Sequence, residues 1–247
     1  MTGFVTEKSM NGLLCALFKS FTEKIIPDNV TDGKLFQPQL GDFLVKITPD
    51  EKHAERVKAA LIKYGGYPTI STIRACLLSC NGDCMKAAFG FAYKTLSLRT
   101  DVSGNLADPL VSEFTFIVRK VTSEIHSMKG FLRFKESVGG VIYADYSPDN
   151  DITELLAPHF LQRLSGLPFI IHDVKRGKIA ISNGFKLKYD VTDKLASFTP
   201  SQNESEFEKL WKKYYKEVNI AERKNRKQQD AYMPRRYRRF MTETFEE

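Results

Sequence analysis

Apolar residues recur every three or four positions through most of the first half of the chain, and this spacing predicts helices. Leu13, Leu14, Leu17, Phe18 and Phe21 form one stripe over Met10–Lys24, with Ser9 as N-cap and Pro27-Asp28 as the stop. A short strand is expected at Asp42–Ile47. Thr48-Pro49-Asp50-Glu51 then places a cap, a proline and early acids ahead of a helix that runs to about Tyr64 and that Gly65-Gly66 closes. Two more helices are expected near Thr69–Ser79 and Asp83–Leu98, and the polar stretch Arg99–Asp108 reads as a linker.

From Pro109 the stripe Phe114, Ile117, Val118, Val121, Ile125 predicts a long amphipathic helix to about Met128, interrupted at Gly130. The period then changes. Val141–Tyr146 alternates as a strand, Asp151–Leu164 returns to helical spacing, and Pro168–Val174 reads as a second strand. Lys178–Ser182 and Phe185–Asp190 should pair as a hairpin turned by Asn183-Gly184. Helices close the chain at Glu204–Val218, around Ala221–Ala231, and after Pro234. The pattern predicts an α+β protein: a mostly helical part over 1–105, then an α+β part over 106–247 with a small mixed or antiparallel sheet, flanking helices and a basic helical tail. The two parts are also compatible with one integrated domain.

At 247 residues the chain is long enough to bury a core without metal or disulfide staples, so none is expected. Cys76, Cys80 and Cys84 are spaced unlike an iron-sulfur cluster motif. Cys76 and Cys80, four apart on a helix, read instead as small core residues sharing a face. No apolar run approaches the length of a membrane span, and MTGFVTEKSM lacks the look of a signal peptide, so a cytoplasmic protein without membrane contact is expected.

Charge changes the picture most. The net charge is +7, and between Lys209 and Arg239 twelve Lys and Arg face only Glu217, Glu222 and Asp230. Such clustering is the electrostatic footprint expected for a polyanion. Tyr214, Tyr215, Tyr232 and Tyr237 interleave the cations and suit stacking on bases. Asn225, Gln228 and Gln229 add groups able to bond base edges or backbone.

Motifs for zinc hydrolysis, base deamination, phosphate-cradling loops, dinucleotide binding and the nucleophile elbow are all missing, and no cofactor is expected. Three of the four histidines, His126, His159 and His172, lie close in sequence beside charged residues. His159 and Arg163 share a helical face, and His172-Asp173 ends a strand. Each imidazole equally fits a local structural role.

Glu124-Ile-His126, Met128-Lys-Gly130-Phe-Leu-Arg133, Pro148-x-x-Asp151, His159-x-x-x-Arg163, His172-Asp173-x-x-Arg176, Leu210-Trp211 and the run from Asn219 through Glu222-Arg223, Asn225, Gln229 and Met233-Pro234 to Arg236-Tyr237 together resemble a bacterial DNA repair, or DNA metabolism, family. Its members are found beside a radical-SAM protein, and a similar domain is fused to uracil-DNA glycosylases. The family's opening strand is poorly represented in Met1–Lys8, and the cysteine trio is not part of its pattern.

The resemblance implies a DNA repair or modification setting and a protein partner. It also implies one concave polar surface bearing His126, Arg133, His159, Arg163, His172, Asp173 and Arg176, covered by Glu222, Arg223, Asn225 and Arg236. Three readings follow. A DNA-binding protein would act with a radical-SAM or glycosylase partner, gripping nucleic acid through Arg133, Arg163, Arg176, Arg223, Asn225, Gln229, Arg235, Arg236 and Tyr237. An enzyme acting on a base or phosphodiester would use His126, His159, His172, Asp173 and Glu222. A scaffold would offer its basic tail to an acidic protein.

Overall fold

The computed structural model describes residues 1–34, 41–192, 199–218 and 225–244, and the chain divides into two compact units, Met1–Thr122 and Ser123–Glu247. Both combine helices with a small sheet, so the α+β class holds.

In the first unit β1 (Thr2–Val5) lies between β2 (Asn29–Thr31) and β3 (Phe43–Lys46), parallel to both. The opening segment therefore does form a strand. With only Phe4 and Val5 as large apolar residues it shows no alternation, but it is hydrogen-bonded on both edges and Phe4 is fully buried. Helix α1 (Met10–Glu23) follows, with the Ser9 hydroxyl accepting from Gly12 N at 3.0 Å.

Helix α2 (Glu51–Leu77) is capped by Asp50, whose side chain accepts from His53 N. It breaks at Gly66, where φ is 77°, and resumes beyond Pro68, so the stop read at Gly65-Gly66 is a kink between two helical segments. Helix α3 (Cys84–Leu98) and the first part of α4 (Pro109–Phe131) complete the core, in which Phe91 and Phe114 stack at 4.0 Å.

Cys76 and Cys84 are buried, and burial raises both thiol pKa values. Cys80 is exposed, contrary to the shared-face reading. Helix α2 has already ended at Leu77, so four-residue spacing no longer sets its direction.

In the second unit α4 runs through Gly130 to Phe131, where an interruption was expected; an added Cβ at Gly130 would meet nothing within 4 Å. A mixed sheet follows in the order β4-β5-β6-β7-β8, formed by Lys135–Glu136, Ile142–Tyr146, Phe169–Asp173, Lys178–Ser182 and Leu187–Val191. Helix α5 (Thr153–Arg163) joins the parallel pair β5 and β6, and all other neighbours are antiparallel.

The β7–β8 hairpin forms, but Ser182 pairs with Leu187, so the connection has four residues and not two. Asn183 Oδ1 accepts from the N–H groups of Phe185 and Lys186, and Gly184 has φ +92° with its Cα side pressed on the Gly166 backbone. Ala144, Leu156, Ala157, Phe160, Phe169, Ile171 and Ala180 are among the core residues. Helices α6 (Glu204–Val218), α7 (Arg226–Tyr232) and α8 (Arg235–Arg238) and a 3-10 turn at Thr242–Thr244 close the described chain. Among the described residues no helix is long and apolar enough to cross a membrane.

Candidate nucleic-acid interface

The carboxylate of Glu124, on α4, is buried yet fully engaged. Oε1 accepts from Asp149 N and from the Tyr237 hydroxyl, each at 2.6 Å; Oε2 accepts from Asn150 N at 2.9 Å and Asn150 Nδ2 at 2.7 Å. Tyr237 is buried, and burial together with the Glu124 carboxylate pushes its phenol pKa up, keeping it a donor. Its neighbour Arg236 lies 4.6 Å over the Tyr237 ring and pairs with Asp149 at 2.7 Å. Arg176 donates to the carbonyls of Pro148 and Asp149 and to the fully buried Asp173 carboxylate at 2.7 Å, and Asp173 also accepts from Lys175 N at 3.0 Å.

Asp173, Arg176, Arg236 and Tyr237 are thus brought together with Glu124 and Asp149, which the sequence reading had not assigned as site residues. They bond one another and the backbone of the β5–α5 connection. Arg176 is occupied internally, and Asp173 orients a guanidinium and a backbone amide, not a histidine. Arg236 remains half-exposed.

The three histidines have three different surroundings. His126 is exposed on α4. His172 and Asp173 alternate to opposite faces of β6, and the His172 ring meets Tyr143 instead, with Nδ1 3.0 Å from the phenol oxygen. Asp145 sits directly across from His172 on β5. Burial lowers the His172 pKa against the opposing pull of Asp145 and Asp173, and burial with Asp145 raises Tyr143 to about 12.

His159 lies on α5 one turn before Arg163. Its Nε2 is closed off from solvent without a hydrogen-bond partner among the described residues, though the residue as a whole is half-buried. Burial, Lys129 and Arg163 lower its pKa.

Arg133 and Arg163 line a groove of about 740 Å³ with Phe134, Phe207, Trp211 and Tyr214. Arg133 is clamped by the Glu243 carboxylate through both Nε and Nη2, and its guanidinium lies 5.6 Å over the Trp211 ring. Trp211 Nε1 donates to the same carboxylate at 3.0 Å, and the Arg133 and Trp211 bonds outweigh burial to lower the Glu243 pKa. Arg163 is exposed and makes no hydrogen bond or ion pair with the described residues.

Along the tail, the Asn225 side chain accepts from Gln228 N at 3.1 Å and caps α7, a structural use of a residue expected to touch nucleic acid. Gln229 is half-buried in α7. Arg235 and Arg238 both bond Asp230, Arg235 at 3.2 Å with most of its side chain exposed. Glu222 and Arg223 lie outside the described residues. Lys209, Lys213, Lys216, Lys227 and Arg239 are exposed, with no carboxylate of the described residues in ion-pair range.

What the sequence reading missed in this region is Phe207, which lines the groove with Arg163 and Trp211. Phe207, Leu210, Trp211, Tyr214 and Val218 recur at helical spacing, which was the available signal.

Among the described residues no group of three or more His, Cys, Asp or Glu is placed to hold a metal ion. Comparisons with curated proteins and with solved structures found no match. The profile of one family, described as a domain of unknown function, DUF4130, matches residues 84–243, covering all of α3 and α4 and nearly the whole second unit, and the chain belongs to that family.

Proposed function

We propose that the protein binds DNA in repair or modification, acting in the cytoplasm with a radical-SAM or glycosylase partner. The observation that supports this most is the set of solvent-facing cations on α6 and α7, Lys209, Lys213, Lys216 and Lys227, left uncompensated by carboxylates of the described residues. Cations already paired within the chain contribute little to capturing a polyanion, whereas unpaired ones release counterions when they meet phosphates. The family resemblance in the sequence supplies the repair setting and the partner.

The test is DNA affinity measured at increasing NaCl. The logarithm of affinity should fall linearly with the logarithm of salt, and Lys209→Ala, Lys213→Ala and Lys216→Ala combined should flatten the slope by about one for each phosphate no longer neutralised. Affinity that stays level between low and moderate salt would contradict the reading.

An enzymatic reading has one observation in its favour, the Tyr143–His172 pair at 3.0 Å beside Asp145. It requires DNA turnover by the purified chain that His172→Ala abolishes while binding persists.

A further inference from the structure

We infer that the groove beside α6 is a site for unpaired DNA, with bases stacking on Phe207, Trp211 and Tyr214 and phosphates meeting Arg163. This rests on the DNA-binding reading above and narrows it to one site and one strand state.

Helix α6 buries none of its side chains. Phe207 is 59% exposed, Trp211 40% and Tyr214 58%, all on one apolar stripe. A helix with so amphipathic a pattern normally hides that stripe, and leaving it open marks a surface that binds something.

Charge selects the occupant. Arg163 stands in the groove wall, exposed and without an ion pair among the described residues, and Lys213, also exposed and without one, follows Leu210 and Trp211 on α6. The cores of protein–protein interfaces are depleted of charge, lysine above all, whereas aromatic rings amid cations are what single-stranded nucleic acid requires.

Two acids also line the groove, and both are engaged within the chain. Glu208 pairs with Lys135 at 3.3 Å, and Glu204 accepts from Glu136 N at 2.8 Å. Duplex DNA keeps its base faces stacked inside and offers nothing for the rings to cover, so the groove suits bases that are unpaired. The platform is also set beforehand: Glu243 holds both the Trp211 indole and the Arg133 guanidinium lying over it, so less ordering remains to be done on binding. The groove volume, about 740 Å³, lies in the range of sites that enclose a small ligand, about 300–1,000 Å³.

Trp211 is the single tryptophan of the chain, so its fluorescence reports on the groove directly. The full chain is titrated with a fluorescein-labelled oligo-dT and with a duplex of the same length, following Trp211 emission and fluorescein anisotropy. The site predicts quenching of Trp211 by oligo-dT, tighter binding of oligo-dT than of duplex, and about tenfold weaker oligo-dT binding for Tyr214→Ala and for Arg163→Ala. Both side chains are exposed and make no hydrogen bond with the described residues, so the variants should melt like the parent.

If DNA is bound but both variants bind it like the parent, or duplex is preferred, the groove assignment falls and the DNA-binding reading stands. If neither DNA binds at any salt, both fall. Quenching of Trp211 by an added partner protein, with none by oligo-dT, assigns the groove to protein docking and overturns the inference.

Discussion

At the scale of single residues, the polar groups of the second unit divide by what they face. Glu124, Asp173, Arg176 and Tyr237 are engaged by partners within the chain, whereas Arg163 faces solvent. His172 faces Tyr143 and is held toward its neutral form by burial. Its folded pKa therefore lies below the ordinary 6.5. As pH falls from 6.5 through the lowered value, the unfolded chain takes up a proton that the folded chain resists, and the stability present above 6.5 is progressively lost. His172→Gln should remove that share of the pH dependence in denaturant titrations. By NMR the His172 ring should titrate below 6.5, and a midpoint at or above it would show that Asp145 outweighs burial.

At the scale of elements, α8 has four residues, far too few to hold helical structure by itself. Tyr237 anchors it by placing its hydroxyl on the buried Glu124 carboxylate. Tyr237→Phe leaves that carboxylate short of a donor, and a hydrogen bond to a charged group contributes about 1.5–3 kcal/mol. The variant should unfold earlier by about that amount, and α8 should lose amide-exchange protection first. Unchanged protection across α8 would assign its anchoring to other contacts.

The same contacts explain what the sequence did and did not reveal. The helices were legible because Leu13, Leu17 and Phe114 repeat with a local period and Ser9 caps its own helix. β1 and the two-residue β4 were not, because long-range pairing makes them strands and they carry too few residues to show a period. The Asn183-Gly184 signal located the hairpin but not its register, which Asn183 sets by bonding two amides further on. In the candidate site, motif order could not reveal that Arg176 and Arg236 meet carboxylates of their own chain, or that Asn225 spends its side chain on a helix cap. The stripe through Phe207, Trp211 and Tyr214 was present in the sequence, but only the structure left it uncovered.

At the scale of the whole molecule, the chain carries +7 overall, and its tail alone holds more than that excess. Internal pairing removes Arg133, Arg176, Arg236 and Arg238 from ready use, and exposed cations without an ion pair among the described residues include Lys209, Lys213 and Lys216 on α6, Lys227 on α7, Arg239 after α8, and Arg163 in the groove wall. Net charge brings DNA to the protein, and the aromatic stripe fixes where an unpaired base comes to rest. The most direct measurement is photocrosslinking of the full chain to a single-stranded oligonucleotide carrying 5-iodouracil, followed by mass spectrometry of the adducts. Adducts on Phe207, Trp211 or Tyr214 are predicted; adducts confined to residues away from α6, or none at low salt, would contradict the claim that this groove is where DNA is held.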